Sequence, residues 1–314
     1  MKKTITLILA LALLLCVPAC GKTTEEQGTD TRLSIVTTLF PAYDFAREIA
    51  GERASVSLLV PPGAEAHSFE PTARDMIRIQ ESSLFFCNGG ESEAWVEELL
   101  ADQQIETLVM LDCVDALEEE VREGMQEIHE EEEEGEEGPE YDEHVWTSPV
   151  NARRICEALC ERLCALDPEG EREYRANLAR YAARLEELDA AFRETVESGS
   201  RRTLIFADRF PVRYFVEEYG LDYYAAFPGC ADDTEPSAKT VAFLIDKVRE
   251  EEIPVVFTIE FSNEKMADVI CEDTGCRKLR FHSCHNVTAE ELENGVSYLQ
   301  LMGENVTALK EALG

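Results

Sequence analysis

PEGEREYRANLARYAARLEELDAAFRETVE, residues 168–197, is the stretch that decides the fold. Tyr174, Leu178, Tyr181, Leu185, Leu188 and Phe192 recur at alternating steps of four and three. That spacing puts one apolar stripe on a helix whose other faces are charged. The pattern predicts a single helix over 168–197, closed by Ser198-Gly199-Ser200. At about 1.5 Å per residue it reaches roughly 45 Å, long enough to run along two lobes. A coiled coil shows the same stripe, so the flanking sequence has to choose between them.

Both flanks alternate short β-rich runs with helical ones. On the amino side, strands are expected at Leu33 to Thr37, Val56 to Val60, Leu84 to Cys87 and Thr107 to Leu111, with helices at Phe40 to Ile49, Thr72 to Glu81 and Trp95 to Leu100. On the carboxyl side, strands are expected at Thr203 to Phe206, Asp222 to Ala226, Val255 to Ile259 and Lys278 to Phe281. Helices fall at Pro211 to Tyr219, Ser237 to Glu251, Asn263 to Glu272 and in the tail from Glu290. Such alternation implies mostly parallel sheets. The fold class is therefore α/β, two lobes joined by one long spine helix. The expected organisation is a leader over 1–19, a tether over 20–32, a first lobe over 33–166, the spine over 167–199 and a second lobe over 200–314.

The chain carries 29 Lys and Arg against 65 Asp and Glu, a formal net charge of −36, with 45% hydrophobic residues. The apolar share supports a sizeable core and excludes wholesale disorder. The acidic balance argues against nucleic acid and against polybasic membrane docking, and fits a cationic partner. Much of the acid lies in residues 115–143, a Glu-rich segment broken by glycines and a proline. It cannot bury a core and reads as a mobile acidic loop. It is either a solvated spacer or an electrostatic funnel for cations. His129 within it is not preorganised to hold a metal.

Lys2 and Lys3 precede an apolar run from Ile5 to Val17, the right length for a leader and too short to span a bilayer. Val17-Pro18-Ala19-Cys20 resembles a bacterial lipobox, which implies cleavage before Cys20 and lipidation of its thiol. The chain would then be extracytoplasmic and held to the membrane by acyl chains. A plain secreted protein is the alternative. Nine of the eleven cysteines would remain, an odd number. Cys156, Cys160 and Cys164 share one helix face and read as small buried hydrophobes before a soft-metal site. No CxxC pair supports a zinc ribbon or a thioredoxin-like site.

Histidine is scarce: His67, His129, His144, His282 and His285. His67 follows a strand and the Pro61-Pro62-Gly63 turn. His144 sits where the acidic segment meets Val145-Trp146, just before Ser148-Pro149 opens a helix. His282 ends the last strand. Ligand sites in open α/β sheets gather beyond the carboxyl ends of strands. Imidazoles there, from both lobes, point to one first-row metal ion between the lobes.

Three segments sharpen this: Pro61-Pro62-Gly63-Ala64-Glu65-Ala66-His67-Ser68-Phe69-Glu70-Pro71-Thr72; Asp142-Glu143-His144-Val145-Trp146-Thr147-Ser148-Pro149; and Tyr219-Gly220-Leu221 with Thr234-Glu235-Pro236-Ser237. Together they resemble the metal-specific solute-binding lipoproteins of zinc and manganese ABC transporters, the cluster A-I family. The resemblance runs from about Leu33 to the carboxyl end. It implies two four-stranded lobes, a spine helix and a metal in the cleft. It also implies a monomer that delivers its ion to a membrane permease.

The same resemblance maps the first ligand onto His67 and the second onto His144. The third position falls in Phe206-Ala207-Asp208-Arg209-Phe210-Pro211, where Ala207 cannot bind and Asp208 is the nearest substitute; Glu260 is the alternative. The fourth maps onto His282, with His285 as a competitor. The expected set is His67, His144, Asp208 and His282. Three imidazoles and a carboxylate lean toward Zn²⁺, with Mn²⁺, which prefers more oxygen, as the alternative. Glu65 and Glu70 flank His67 and could orient an imidazole. A mononuclear zinc hydrolase and a surface adhesin are the rival functions. HExxH, GxSxG and GxxxxGK[ST] are all absent from the sequence.

Overall fold

The computed structural model describes residues 32–101, 104–126, 140–231 and 236–314. The leader, Cys20, His129 and the Thr234-Glu235 pair lie outside the described residues, as does the centre of the acidic segment.

In the first lobe, β1 (Leu33–Thr37), β2 (Ala54–Leu58), β3 (Leu84–Cys87) and β4 (Thr107–Val109) form an all-parallel sheet ordered β2-β1-β3-β4. Its helices are α1 (Phe40–Ala50), α2 (Ala73–Gln80) and α3 (Trp95–Ala101). β3 is buried along its whole length, as a parallel strand covered on both faces must be. Thr72 starts α2 with a capping box closed by Asp75.

The second lobe repeats the plan. β5 (Thr203–Arg209), β6 (Asp222–Phe227), β7 (Val255–Thr258) and β8 (Arg277–Arg280) are parallel in the order β6-β5-β7-β8. Around them lie the helices Arg213–Tyr219, Ala238–Glu250, Lys265–Thr274, Ala289–Glu293 and Tyr298–Leu313. β5 differs from expectation. It runs on to Arg209, with a register shift against β6 between Phe206 and Arg209. The run Ala207-Asp208-Arg209 is therefore irregular strand rather than loop, a difference that reaches the site.

Between the sheets, α4 (Pro149–Leu166) and the spine α5 (Glu171–Ser198) pack side by side. Ser148 caps α4 by accepting the Asn151 N–H, and Pro149 occupies the first turn, where no N–H is needed. The spine packs on α1 in the first lobe and on the Tyr298–Leu313 helix. Tyr174, Tyr181, Leu185, Leu188 and Phe192 of its stripe are buried, and Leu178 is half-buried. The Phe192 ring meets Phe215 at 4.8 Å and Tyr219 at 5.5 Å, so one end of the spine is set into the second lobe. Asn177 donates to the Ile49 carbonyl at 2.9 Å and ties the other end to the first. Cys156 and Cys160 are buried on α4 and Cys164 is half-buried, consistent with a hydrophobic role.

Candidate metal centre

His67 and His285 follow β2 and β8, at the carboxyl ends where parallel sheets open toward ligands, and His144 sits just before α4. Past β2, the Pro61–Pro62–Gly63 turn carries His67. Gly63 has a φ of 78°, a conformation that favours glycine. This turn is seated on the opposite lobe. The Gly63 N–H donates to Val287 O at 2.8 Å, and Asn286 Nδ2 donates to Pro61 O at 2.8 Å and Ala64 O at 2.9 Å.

His144 is fully buried. Its backbone N–H donates to Asp142 Oδ1 at 2.8 Å, and its Nδ1 lies 3.2 Å from the same oxygen. The carboxylate thus holds a proton on Nδ1 and leaves Nε2 as a lone-pair donor. Nε2 is buried without a hydrogen-bond partner, an arrangement that is costly unless the atom serves a ligand.

The third imidazole is His285. Its backbone N–H donates to Glu260 Oε1 at 3.0 Å. The same carboxylate accepts the Ser283 N–H at 2.7 Å and the Ser283 hydroxyl at 2.5 Å. Trp146 Nε1 donates to Ser283 O at 2.7 Å, and the Trp146 ring lies 5.5 Å from that of His144 and 5.3 Å from that of His285.

Ring centroids are 5.4 Å apart for His67 and His144, 4.6 Å for His67 and His285, and 5.3 Å for His144 and His285. One ligand atom from each lies within 4.8 Å of the others. The cavity they line is about 20 Å³, room for one water-sized sphere and not for an organic molecule. Burial, then the neighbouring His144 and Arg209, pushes His67 down to about 3 against the pull of Glu65. Burial likewise holds His285 well below the usual imidazole range. Burial also opposes the charging of His144, but Asp142, Glu143 and Glu119 outweigh it and raise its pKa. His67 and His285 are therefore neutral and able to donate lone pairs at neutral pH.

Two residues of the expected set are placed elsewhere. Asp208 accepts the Arg209 N–H at 2.9 Å and lines a neighbouring cavity of about 290 Å³ with Phe261 and Met266. The bulge in β5 puts Arg209, not Asp208, on the wall of the histidine cavity, where its guanidinium pairs with Glu65 of the first lobe at 3.0 Å. His282 is held by Asn305, which accepts its N–H at 2.7 Å and donates to its carbonyl at 2.8 Å. Its Nδ1 accepts the Cys284 N–H at 2.9 Å. The chain then turns at Cys284, whose φ is 63°, and delivers His285 into the cleft. Glu260 lines the cavity and accepts from Ser283 N, Ser283 Oγ and His285 N, but among the described residues it is not one of the donors that converge with His67.

Two further groups escaped sequence reasoning as donors. Cys230, past β6, and Glu143 each bring a ligand atom within 4.8 Å of one another and of His67. The strand-end rule that picks out the histidines applies equally to Cys230. Next to it, Gly229 is required by close approach: a Cβ there would lie 2.9 Å from Phe210 O and 3.2 Å from both Asp142 Oδ2 and His144 Cε1.

A family model described as zinc-uptake complex component A, periplasmic, matches residues 35–312. The high-affinity zinc uptake system protein ZnuA of Bacillus subtilis is 32% identical over 317 residues, covering 99% of this chain and 98% of that protein. The zinc-binding lipoprotein AdcA of Streptococcus pneumoniae is 29% identical over 98% of this chain, which spans 61% of that longer protein. The crystal structure of the Zn(II)-bound ZnuA-like domain of AdcA superposes with a TM-score of 0.74 at 28% identity, covering 90% of this chain and 99% of that one.

Proposed function

We propose, for a chain that belongs to the zinc-uptake complex component A family, that it captures one zinc ion outside the cytoplasmic membrane and hands it to an ABC importer permease. The observation that carries the reading is the convergence of His67, His144 and His285 on a cavity of about 20 Å³, with His144 Nε2 buried and unpartnered. Three imidazole nitrogens suit Zn²⁺, which takes four ligands tetrahedrally, while Mn²⁺ favours oxygen. Water completes the set. Cys20 carries the lipid that keeps the monomeric binding protein near its permease. Release requires the lobes to part, which breaks the Asn286 bonds to Pro61 and Ala64 and the Arg209–Glu65 pair.

Metal analysis with a competition titration tests this. One zinc per chain, not displaced by excess manganese, is expected. Equal competition by manganese, or no retained metal, would sink it. Three histidines with an open fourth position are also the donor set of hydrolytic zinc. Assays on ester and phosphate substrates should show no zinc-dependent turnover, and a deletion strain should fail to grow in zinc-depleted medium.

A further inference from the structure

We propose that His67, Glu143 and Cys230 form a second, thiolate-containing zinc subsite, from which the ion passes to the three-histidine set. The inference rests on the zinc-capture reading above and assigns the step that precedes it.

The three donors come from separate segments and both lobes: His67 past β2, Glu143 before the second histidine, and Cys230 past β6. Their ligand atoms lie within 4.8 Å of one another. An ion held at about 2.0–2.3 Å from each needs them only slightly closer, which a side-chain rotation supplies. Sulfur, imidazole nitrogen and carboxylate oxygen are all established zinc donors, whereas Mg²⁺, Ca²⁺ and Mn²⁺ prefer oxygen alone. Glu143 is held in place by Ser92, whose N–H donates to Oε1 at 2.9 Å and whose hydroxyl donates to Oε2. Each carboxylate oxygen keeps a further lone pair for a cation.

The position suits a first landing point. The described ends of the acidic segment meet here. Glu119 Oε1 accepts the Cys230 N–H at 2.9 Å, and the Glu119 N–H donates to Glu140 O at 2.9 Å. The Glu119 carboxylate thereby puts a negative charge beside Cys230. His67 belongs to both donor sets, so the ion need never be released. It exchanges Cys230 and Glu143 for His144 and His285 while His67 holds on. On binding, the Cys230 thiol gives its proton to solvent, and on transfer the sulfur takes one back. No electron moves.

Cobalt(II) reports the step, because thiolate ligation adds a sulfur-to-metal charge-transfer absorption that imidazole ligation lacks. The purified His285→Ala protein, stripped of metal and titrated with Co²⁺, should bind it with that absorption. Adding Cys230→Ser should abolish it; Cys230→Ala and circular dichroism check that the effect is not unfolding. In the wild type, rapid mixing should show the absorption rise and then decay as the ion reaches the histidines. If His285→Ala shows no charge-transfer absorption, or if the absorption survives Cys230→Ser, the subsite is overturned while wild-type zinc affinity still supports capture. Loss of zinc binding by the wild type would instead overturn the capture reading itself.

Discussion

The two lobes share one sheet topology, yet each holds its histidine loop at the cleft with a buried carboxylate used differently. In the first lobe, Asp142 touches both the backbone N–H and the Nδ1 of His144. It therefore sets the tautomer and the aim of the His144 ring. In the second, Glu260 accepts from Ser283 N, Ser283 Oγ and His285 N. It shapes the loop and leaves the His285 ring to packing against Trp146. A carboxylate near a metal can thus tune the ligand or build the scaffold, and its hydrogen bonds say which.

The largest effect should come from the three converging histidines. His67→Ala, His144→Ala or His285→Ala should each weaken zinc binding more than the roughly 10–100-fold that a supporting group is worth. His282→Ala should leave affinity close to wild type in the same competition titration. If His282→Ala is as damaging as His285→Ala, the description of the second lobe fails.

Asp142→Asn and Glu260→Gln separate the two carboxylate roles. Asp142→Asn should lower zinc affinity about 10–100-fold with little change in urea midpoint. Glu260→Gln should cost about 1–3 kcal/mol of stability, since an amide cannot accept all three donors. Reversal of these two patterns would dissolve the contrast between the lobes.

A third carboxylate in the first lobe gives a pH test. Burial pushes Asp44 up to about 6 from 3.8, although Tyr298 N–H donates to it at 2.9 Å. The folded state therefore holds this proton more tightly than the unfolded state. Its stabilising contribution is complete below the unfolded value and is lost as pH rises through about 6. Denaturation midpoints measured from pH 4 to 7 should decline by this contribution, and Asp44→Asn should flatten that part of the profile. An unchanged slope in the variant would remove Asp44 as its source.

The smallest effect is expected at the rim. The Arg209–Glu65 pair spans the lobes but Glu65 is 38% exposed, so Glu65→Gln should cost only about 0.2–1 kcal/mol. Its signature is faster zinc release. A release rate equal to wild type would mean that the pair does not help hold the lobes together.

Much of this was legible beforehand, for local reasons. Periodicity located the spine and the strands to within a few residues, because apolar spacing and turn chemistry act over a few residues. The Pro61–Thr72 and Asp142–Pro149 segments announced His67 and His144, since the first puts an imidazole on a turn past a strand, the second puts one at a helix start, and both resemble motifs of the family. The second lobe was harder to read. Asp208 and Arg209 are neighbours, and a bulge decides which of them faces the cleft. His282 and His285 are three residues apart, and the positive φ of Cys284 decides between them.

The order of strands and helices, the acidic character and the candidacy of His67 and His144 were therefore determined by sequence alone, because hydrophobic period, local turns and motifs are properties of short segments. Only the tertiary structure brought His285 beside His67 and His144, set Arg209 against Glu65 and brought Cys230 beside Glu143. Those placements depend on where loops from two separate sheets meet in space, and no spacing along the chain records that distance.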